Sequence, residues 1–200
     1  MEAALDEFAE RGFAGAKIRD ICAKAGTNLA SVNYHFHGKQ ELYRKVLDHI
    51  FEMRDPLDDA AEKIAAGANP REAVRVFIES FIAAASSPEN PLFKHRFKIM
   101  LRELADPSPF LPELARGKIR PKLMRLQKIL GDMSGGALSG TELTVKTMML
   151  LGQCVFFFNR PLMTALTGSE SFLKDNSAVV TDIVAAGLAA RAGKTQEGKE

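Results

Sequence analysis

Residues 17–43 read KIRDICAKAGTNLASVNYHFHGKQELY, and the fold turns on how they are read. Ile18, Ile21 and Cys22 recur at helical spacing, which predicts a short amphipathic helix over 16–24. Ala25-Gly26 follows, and glycine accepts the left-handed backbone that a tight turn demands. Asn28 then stands where a side-chain oxygen can accept from an orphan N–H of a second short helix, predicted over 29–35. Val32 and Phe36 give that helix an apolar edge, while Leu29, Ala30, Ser31 and Asn33 are small or uncharged. It ends in Asn33-Tyr34-His35-Phe36, and a longer amphipathic helix opens at Lys39 with Leu42, Val46, Leu47 and Ile50 inward. Two short helices across a tight turn, the second showing short side chains outward, form the layout of a helix-turn-helix. Its second helix lies in a DNA major groove.

The same helical period extends in both directions. Upstream, residues 2–11 place Leu5, Phe8 and Ala9 on one face, Gly12 ends the helix and Phe13 packs beyond it. Downstream, helices are predicted over 57–66, over 70–85 with Val74, Phe77, Ile78 and Phe81 inward, and over 91–105. In the last of these Phe93, Phe97, Met100, Leu101 and Leu104 hold the helical spacing. A helix over 111–133 should kink at Pro121. Residues 141–158 are apolar on most sides and should be buried around most of their girth, and 171–191 make the last helix. The fold class is all-α. Residues 1–54 are expected to form a three-helix DNA-binding domain, 55–191 a helical effector-binding and dimerisation domain, and 192–200 a disordered tail.

Composition narrows the function classes. The chain has 200 residues, 26% of them charged, and a net charge of +2, a weak excess for a nucleic-acid binder. Residues 17–45 are more basic, with Lys17, Arg19, Lys24, Lys39, Arg44 and Lys45 against Asp20 and Glu41. No apolar run approaches the ~20 residues that span a bilayer, and the N-terminus lacks a basic-then-apolar leader, so a cytoplasmic location is expected. Cys22 and Cys154 show no CxxC spacing. His35 and His37 flank Phe36 without a third ligand at suitable spacing, so neither metal nor cofactor is expected. There is no HExxH, no Gly-rich phosphate loop and no nucleophile–base pair, which argues against an enzyme. The remaining rival is a helical ligand-binding protein without DNA binding.

The stretches ALDEFAERGFAG, IRDICAKAG and ASVNYHFHGKQELYRKVL resemble the N-terminal domain of TetR-family regulators over about the first fifty residues. FKIMLRELADPSP, IRPKLMRLQKIL and LLGQCVFFFNRP resemble the C-terminal domain of that family's CecR-like branch. The resemblance implies that Tyr34, His35 and Lys39 contact phosphates, which position a protein without carrying sequence information. Arg19 falls where some members read a guanine or hold the backbone. Asn28, Leu29, Ala30 and Asn33 fall where base edges are read, with Ser31 between them. Leu29 or Ala30 would suit a thymine methyl, and Asn33 could pair with adenine.

Two departures matter. Ala16 stands where the family usually has a Thr or Ser that caps the next helix. Met1-Glu2 falls inside what is normally the first helix, without the basic arm ahead of it, which implies weaker binding or a start further upstream.

In the second half, 141–158 and 171–191 are candidates for a four-helix interface of a homodimer, with Ala178, Ala185, Ala186 and Gly187 allowing close approach. Phe77, Phe81, Phe93, Phe97, Met100, Met149 and Phe156, with Arg96 and Gln153 as polar groups, read either as plain core or as a pocket for a small apolar or amphipathic effector. The expected protein is a homodimeric regulator, more a repressor than an activator. An effector releases it from a palindromic double-stranded operator, and it has no membrane partner. The branch resemblance implies control of export or drug-tolerance genes by analogy.

Overall fold

The computed structural model describes residues 1–87 and 91–189, without the side chains of 91–94, 155 and 158. The expected tail over 192–200 and the Phe93 side chain therefore lie outside the described residues. Among the described residues the chain is helical, without a strand. In order come α1 (Glu2–Gly15), α2 (Ile18–Ala25), α3 (Leu29–Phe36), α4 (Lys39–Glu52), α5 (Pro56–Ala65), α6 (Pro70–Ser86) and α7 (Pro91–Ala105). Then follow α8 (Leu111–Leu114), a π-turn (Ala115–Ile119), α9 (Arg120–Met133), α10 (Gly140–Phe158), α11 (Arg160–Thr167), α12 (Phe172–Asp175) and α13 (Ser177–Ala189). Two compact units result. The first joins Met1–Arg54 to Ser87–Pro121, and the second joins Asp55–Ser86 to the chain from Lys122 onward. The expected division at 54/55 follows chain order, whereas in space residues 87–121 pack with the first 54.

In the first unit Gly12 breaks α1 with φ 67° and ψ 179°, a conformation a side chain would strain. The bend aims Phe13 at Tyr43 and Phe110, each with ring centroids 5.1 Å away. Phe8, Tyr43, Val46, Ile50 and Ile99 fill the core. Truncating a buried phenylalanine such as Phe8 to alanine costs about 3–5 kcal/mol. The inward face of α7 differs from the expected one. Leu104 points to solvent, while Ile99 and Glu103, four residues apart, are buried. A carboxylate can be buried there because Tyr43 donates its O–H to Glu103 Oε1 at 2.5 Å, and Ser108 donates its N–H and Oγ–H to Oε2 at 3.1 and 3.0 Å. Arg102, next along α7, donates to the carbonyls of Ala9 and Glu10 and so caps the end of α1's first segment.

The predicted kink at Pro121 takes the form of a π-turn immediately before it. Pro121 has no N–H for the carbonyl four residues back and its ring would clash there. In the wider turn the Arg120 N–H bonds Ala115 O, five residues back.

The second unit begins with a capping box. Asp55 Oδ1 accepts from the Leu57 N–H and Asp58 accepts from the Asp55 N–H, each at 2.9 Å, with Pro56 in the first turn. Asp55 is also paired with Lys122 on α9. Val74, Ile82, Leu130 and Leu150 are the most enclosed of its larger core residues. Ser139 and Glu142 form a second capping box at the start of α10. Two expectations are corrected. The predicted helix over 171–191 breaks at Asn176 into α12 and α13. α10 is not buried around most of its girth: Leu150 and Cys154 face inward, whereas Val145, Met148, Met149, Gln153 and Phe156 face solvent. On α13, Val179, Ile183 and Ala186 are exposed, as is Ala178, while Val184, Ala185 and Leu188 are buried. The Lys146 ammonium donates to the Gly187 carbonyl at 3.0 Å, tying α10 to α13.

Candidate nucleic-acid interface

The turn between α2 and α3 is closed by Gly26 at φ 62°, ψ 31°, the left-handed cap that the Ala25-Gly26 pair predicts. Asn28 Oδ1 accepts from the Ser31 N–H at 2.8 Å and so caps α3. Val32 is buried and Phe36 packs against the same core, so one edge of α3 is seated against α2 and α4. The opposite face is open: Leu29 is 53% exposed, Tyr34 is 79% exposed, and Ala30, Asn33 and His35 also face solvent. Ser31 lies half-buried at the margin. All these positions lie within two helical turns, and α3 carries no charged residue. The Tyr34 ring stands in solvent, edge-on against His35 at 5.1 Å.

His37 at φ 53° and Gly38 at φ 110° turn the chain sharply into α4. Lys39 opens that helix half-buried. Its ammonium donates to the Ala14 carbonyl at 3.1 Å and lies 4.9 Å over the Phe13 ring. Burial pulls its pKa below the ordinary lysine value. An ammonium has three N–H donors, so a held Lys39 keeps donors for a phosphate. Arg19 on α2 is exposed, 3.6 Å from Asp20 Oδ1.

Charge in this region is partly consumed inside the unit. Lys24 bonds the Glu7 carboxylate at 2.9 Å, and Arg44 pairs with Glu113 and Glu41. Lys17, Arg19 and Lys45 remain exposed. Glu7 is the residue that sequence reasoning missed. It is 1% exposed. Burial pushes its pKa up, yet the Lys24 hydrogen bond, the charges of Lys24 and Arg11, and the Lys17 backbone N–H outweigh that and hold it below the ordinary carboxylate value. Through these bonds α1 fixes the start of α2, where Lys17 is the N-cap without a side-chain bond; the cap that Ala16 cannot supply is absent. The available signal was a glutamate between Leu5 and Phe8, on the apolar side of α1.

The expected pocket residues fall in different surroundings. Phe77 is buried in the second unit's core, with Phe81 6.2 Å from it, ring to ring. Arg96 lies over the Phe51 ring at 5.2 Å, and Met100 packs against the first unit's core. Phe97 is half-buried, and Met149, Gln153 and Phe156 project to solvent. A cleft in the second unit is lined by Ser86, Phe157, Arg160, Met163, Phe172 and Leu173, among others.

The family model for the C-terminal domain of the HTH-type transcriptional dual regulator CecR matches residues 70–192, and that for bacterial regulatory proteins of the tetR family matches residues 1–46. The chain belongs to the TetR family. This TetR-family chain is 26% identical over 192 residues to the dual regulator CecR of Shigella flexneri, covering 91% of its own length and 84% of the relative's. A transcriptional repressor of Mycobacterium tuberculosis is 48% identical over 50 residues, 25% of this chain and 27% of that one. Among solved structures, the hemolysin II regulator HlyIIR superposes with a TM-score of 0.63 at 18% identity over 95% of this chain and 94% of that one. FadR of Bacillus subtilis in complex with stearoyl-CoA gives a TM-score of 0.66 at 17% identity over 96% and 97%. The TetR-family chain is a DNA-binding transcriptional regulator and not an enzyme. No helix among the described residues is long and apolar enough to cross a membrane.

Proposed function

We propose that this regulator is a cytoplasmic homodimer and a repressor, which sets one α3 from each protomer into a palindromic operator and leaves it when a small apolar or amphipathic effector binds within residues 55–191. The observation that carries the DNA-reading part is the outward face of α3: capped by Asn28, seated by Val32, and open at Leu29, Ala30, Asn33 and Tyr34. Tyr34, His35 and Lys39 are assigned to phosphates and Arg19 to the neighbouring backbone or a flanking base. Dimerisation is assigned to the apolar stripes of α10 and α13, since large apolar patches on a protomer mark interaction sites. A twofold dimer would then present its two reading helices about 34–36 Å apart, one DNA turn, or a multiple of it.

For the effector, support comes from a structural neighbour that holds stearoyl-CoA and from the supply of phenylalanine and methionine in this half. An effector releases DNA only through its differential affinity for two arrangements of the dimer. The test is a gel shift with duplex from upstream of the protein's own gene at 50 and 200 mM salt. Specific binding that weakens steeply with salt is expected, and Tyr34→Ala should weaken it about equally on all sequences. Binding that is indifferent to salt and to Tyr34→Ala would overturn the assignment.

A further inference from the structure

We infer that the operator half-site is read by α3 as A·T pairs, through thymine methyl groups and one adenine, with no guanine contact from that helix. This rests on the assignment of α3 as the DNA-reading helix and adds what it reads. The argument begins with chemistry that α3 lacks. The commonest specific major-groove contact is Arg or Lys bidentate to guanine O6 and N7, and cytosine N4 is read by a carboxylate. LASVNYHF contains none of these residues. Lys39, the nearest cation downstream, has its ammonium anchored on the Ala14 carbonyl and the Phe13 ring, at the start of the next helix.

What α3 does offer points one way. The N-terminal residues of a recognition helix are those that meet base edges. Here they are Leu29, more than half exposed, and exposed Ala30. In the major groove only thymine presents an apolar group, its C5 methyl. One turn further on, Asn33 shares the face of Leu29 and Ala30 by i, i+4 and i, i+3 spacing. A carboxamide reads adenine by accepting from N6 and donating to N7, and it needs both ends free. Asn28 cannot do this without surrendering its cap, because its Oδ1 already holds the Ser31 N–H at 2.8 Å. Asn33 is exposed and takes no part in the cap, so the adenine contact falls to it. Ser31 accepts any base and adds no discrimination, and His35 lies toward the flank with its ring against Tyr34.

The test is in vitro selection of the full-length protein on random duplex, followed by atom-level substitution in the enriched site. The expected half-site has a core of A·T pairs. Replacing its thymines with deoxyuridine, which removes only the methyl groups, should weaken binding by about fivefold or more. Asn33→Ala should lose about tenfold discrimination at one adenine, as should 7-deazaadenine there, with non-specific affinity unchanged. A selected core containing guanine, with binding indifferent to deoxyuridine and as sensitive to 7-deazaguanine in Arg19→Ala as in the wild type, would overturn the inference and leave the DNA-reading assignment intact. A folded protein that enriches no sequence in any round would overturn both.

Discussion

The outward face of α3 and the open side of α10 and α13 both leave apolar atoms in water, and they differ in what surrounds them. On α3, Leu29 and Tyr34 stand among Ala30, Asn33 and His35, with exposed cations at Lys17, Arg19 and Lys45 nearby in sequence. On α10 and α13 the open positions are Val145, Met148, Met149, Phe156, Val179 and Ile183. The first surface keeps hydrogen-bonding tips and short side chains, so it can exchange water for base edges and phosphate oxygens. The second has almost nothing to offer a polyanion and gains only by removing hydrocarbon from water. A second copy of the stripe, the occupant proposed above, would satisfy it. The contrast teaches that an apolar residue in the open is informative through its neighbours, not through its own hydropathy.

The contrast can be broken most forcefully on the second surface. Charging it with Met148→Glu and Ile183→Glu together should halve the mass measured by sedimentation. Affinity for a two-half-site operator should fall by about 100-fold or more, because the second head no longer binds as an intramolecular event. An unchanged mass would mean that the stripe is not the subunit interface. Next in size is Tyr43→Phe, which strands a buried acceptor on Glu103 and should cost about 1–3 kcal/mol in urea unfolding. Burial, with Glu103 beside it, pushes the Tyr43 pKa far above the ordinary value, so this hydroxyl stays a donor at any physiological pH. A smaller effect is expected from pH. The folded pKa of Glu7 is depressed, so its contribution to stability is present above the ordinary value of 4.5 and is lost as pH falls through the folded value. Glu7→Gln should therefore flatten the acid limb of a stability–pH curve below about pH 4.5 and leave the slope near neutrality unchanged. An acid limb as steep as the wild type's would remove Glu7 from the account of how α2 is held.

Local signals sufficed where local chemistry decides structure. Gly26, the Asn28 cap and the Val32–Phe36 edge could all be read from 17–43, because turns and caps are settled within a few residues. Longer-range features could not. The inward face of α7 runs through Ile99 and Glu103 and leaves Leu104 outside, since the carboxylate is made tolerable inside by donors from Ser108 and from Tyr43, sixty positions away. The apolar pattern of α10 does not tell a covered face from an open one: Leu150 and Cys154 are buried while Met148, Met149 and Phe156, equally apolar, face solvent. The break falls at Asn176, whose backbone departs from helical angles at φ −113° and ψ 18° and whose amide donates to the Phe172 carbonyl at 2.8 Å, in a stretch where periodicity runs on. The pocket residues were the least legible, because phenylalanine and methionine at helical spacing carry the same pattern whether they fill a core, as Phe77 does, or face water, as Met149 and Phe156 do.

The most direct test of the central claim is hydrogen exchange of the full-length protein, read by mass spectrometry with and without its selected operator duplex. The account predicts new protection over 17–45, centred on α3 and the start of α4, with α10 and α13 unchanged. Protection confined to α10 and α13, with α3 exchanging as fast as in the free protein, would contradict it.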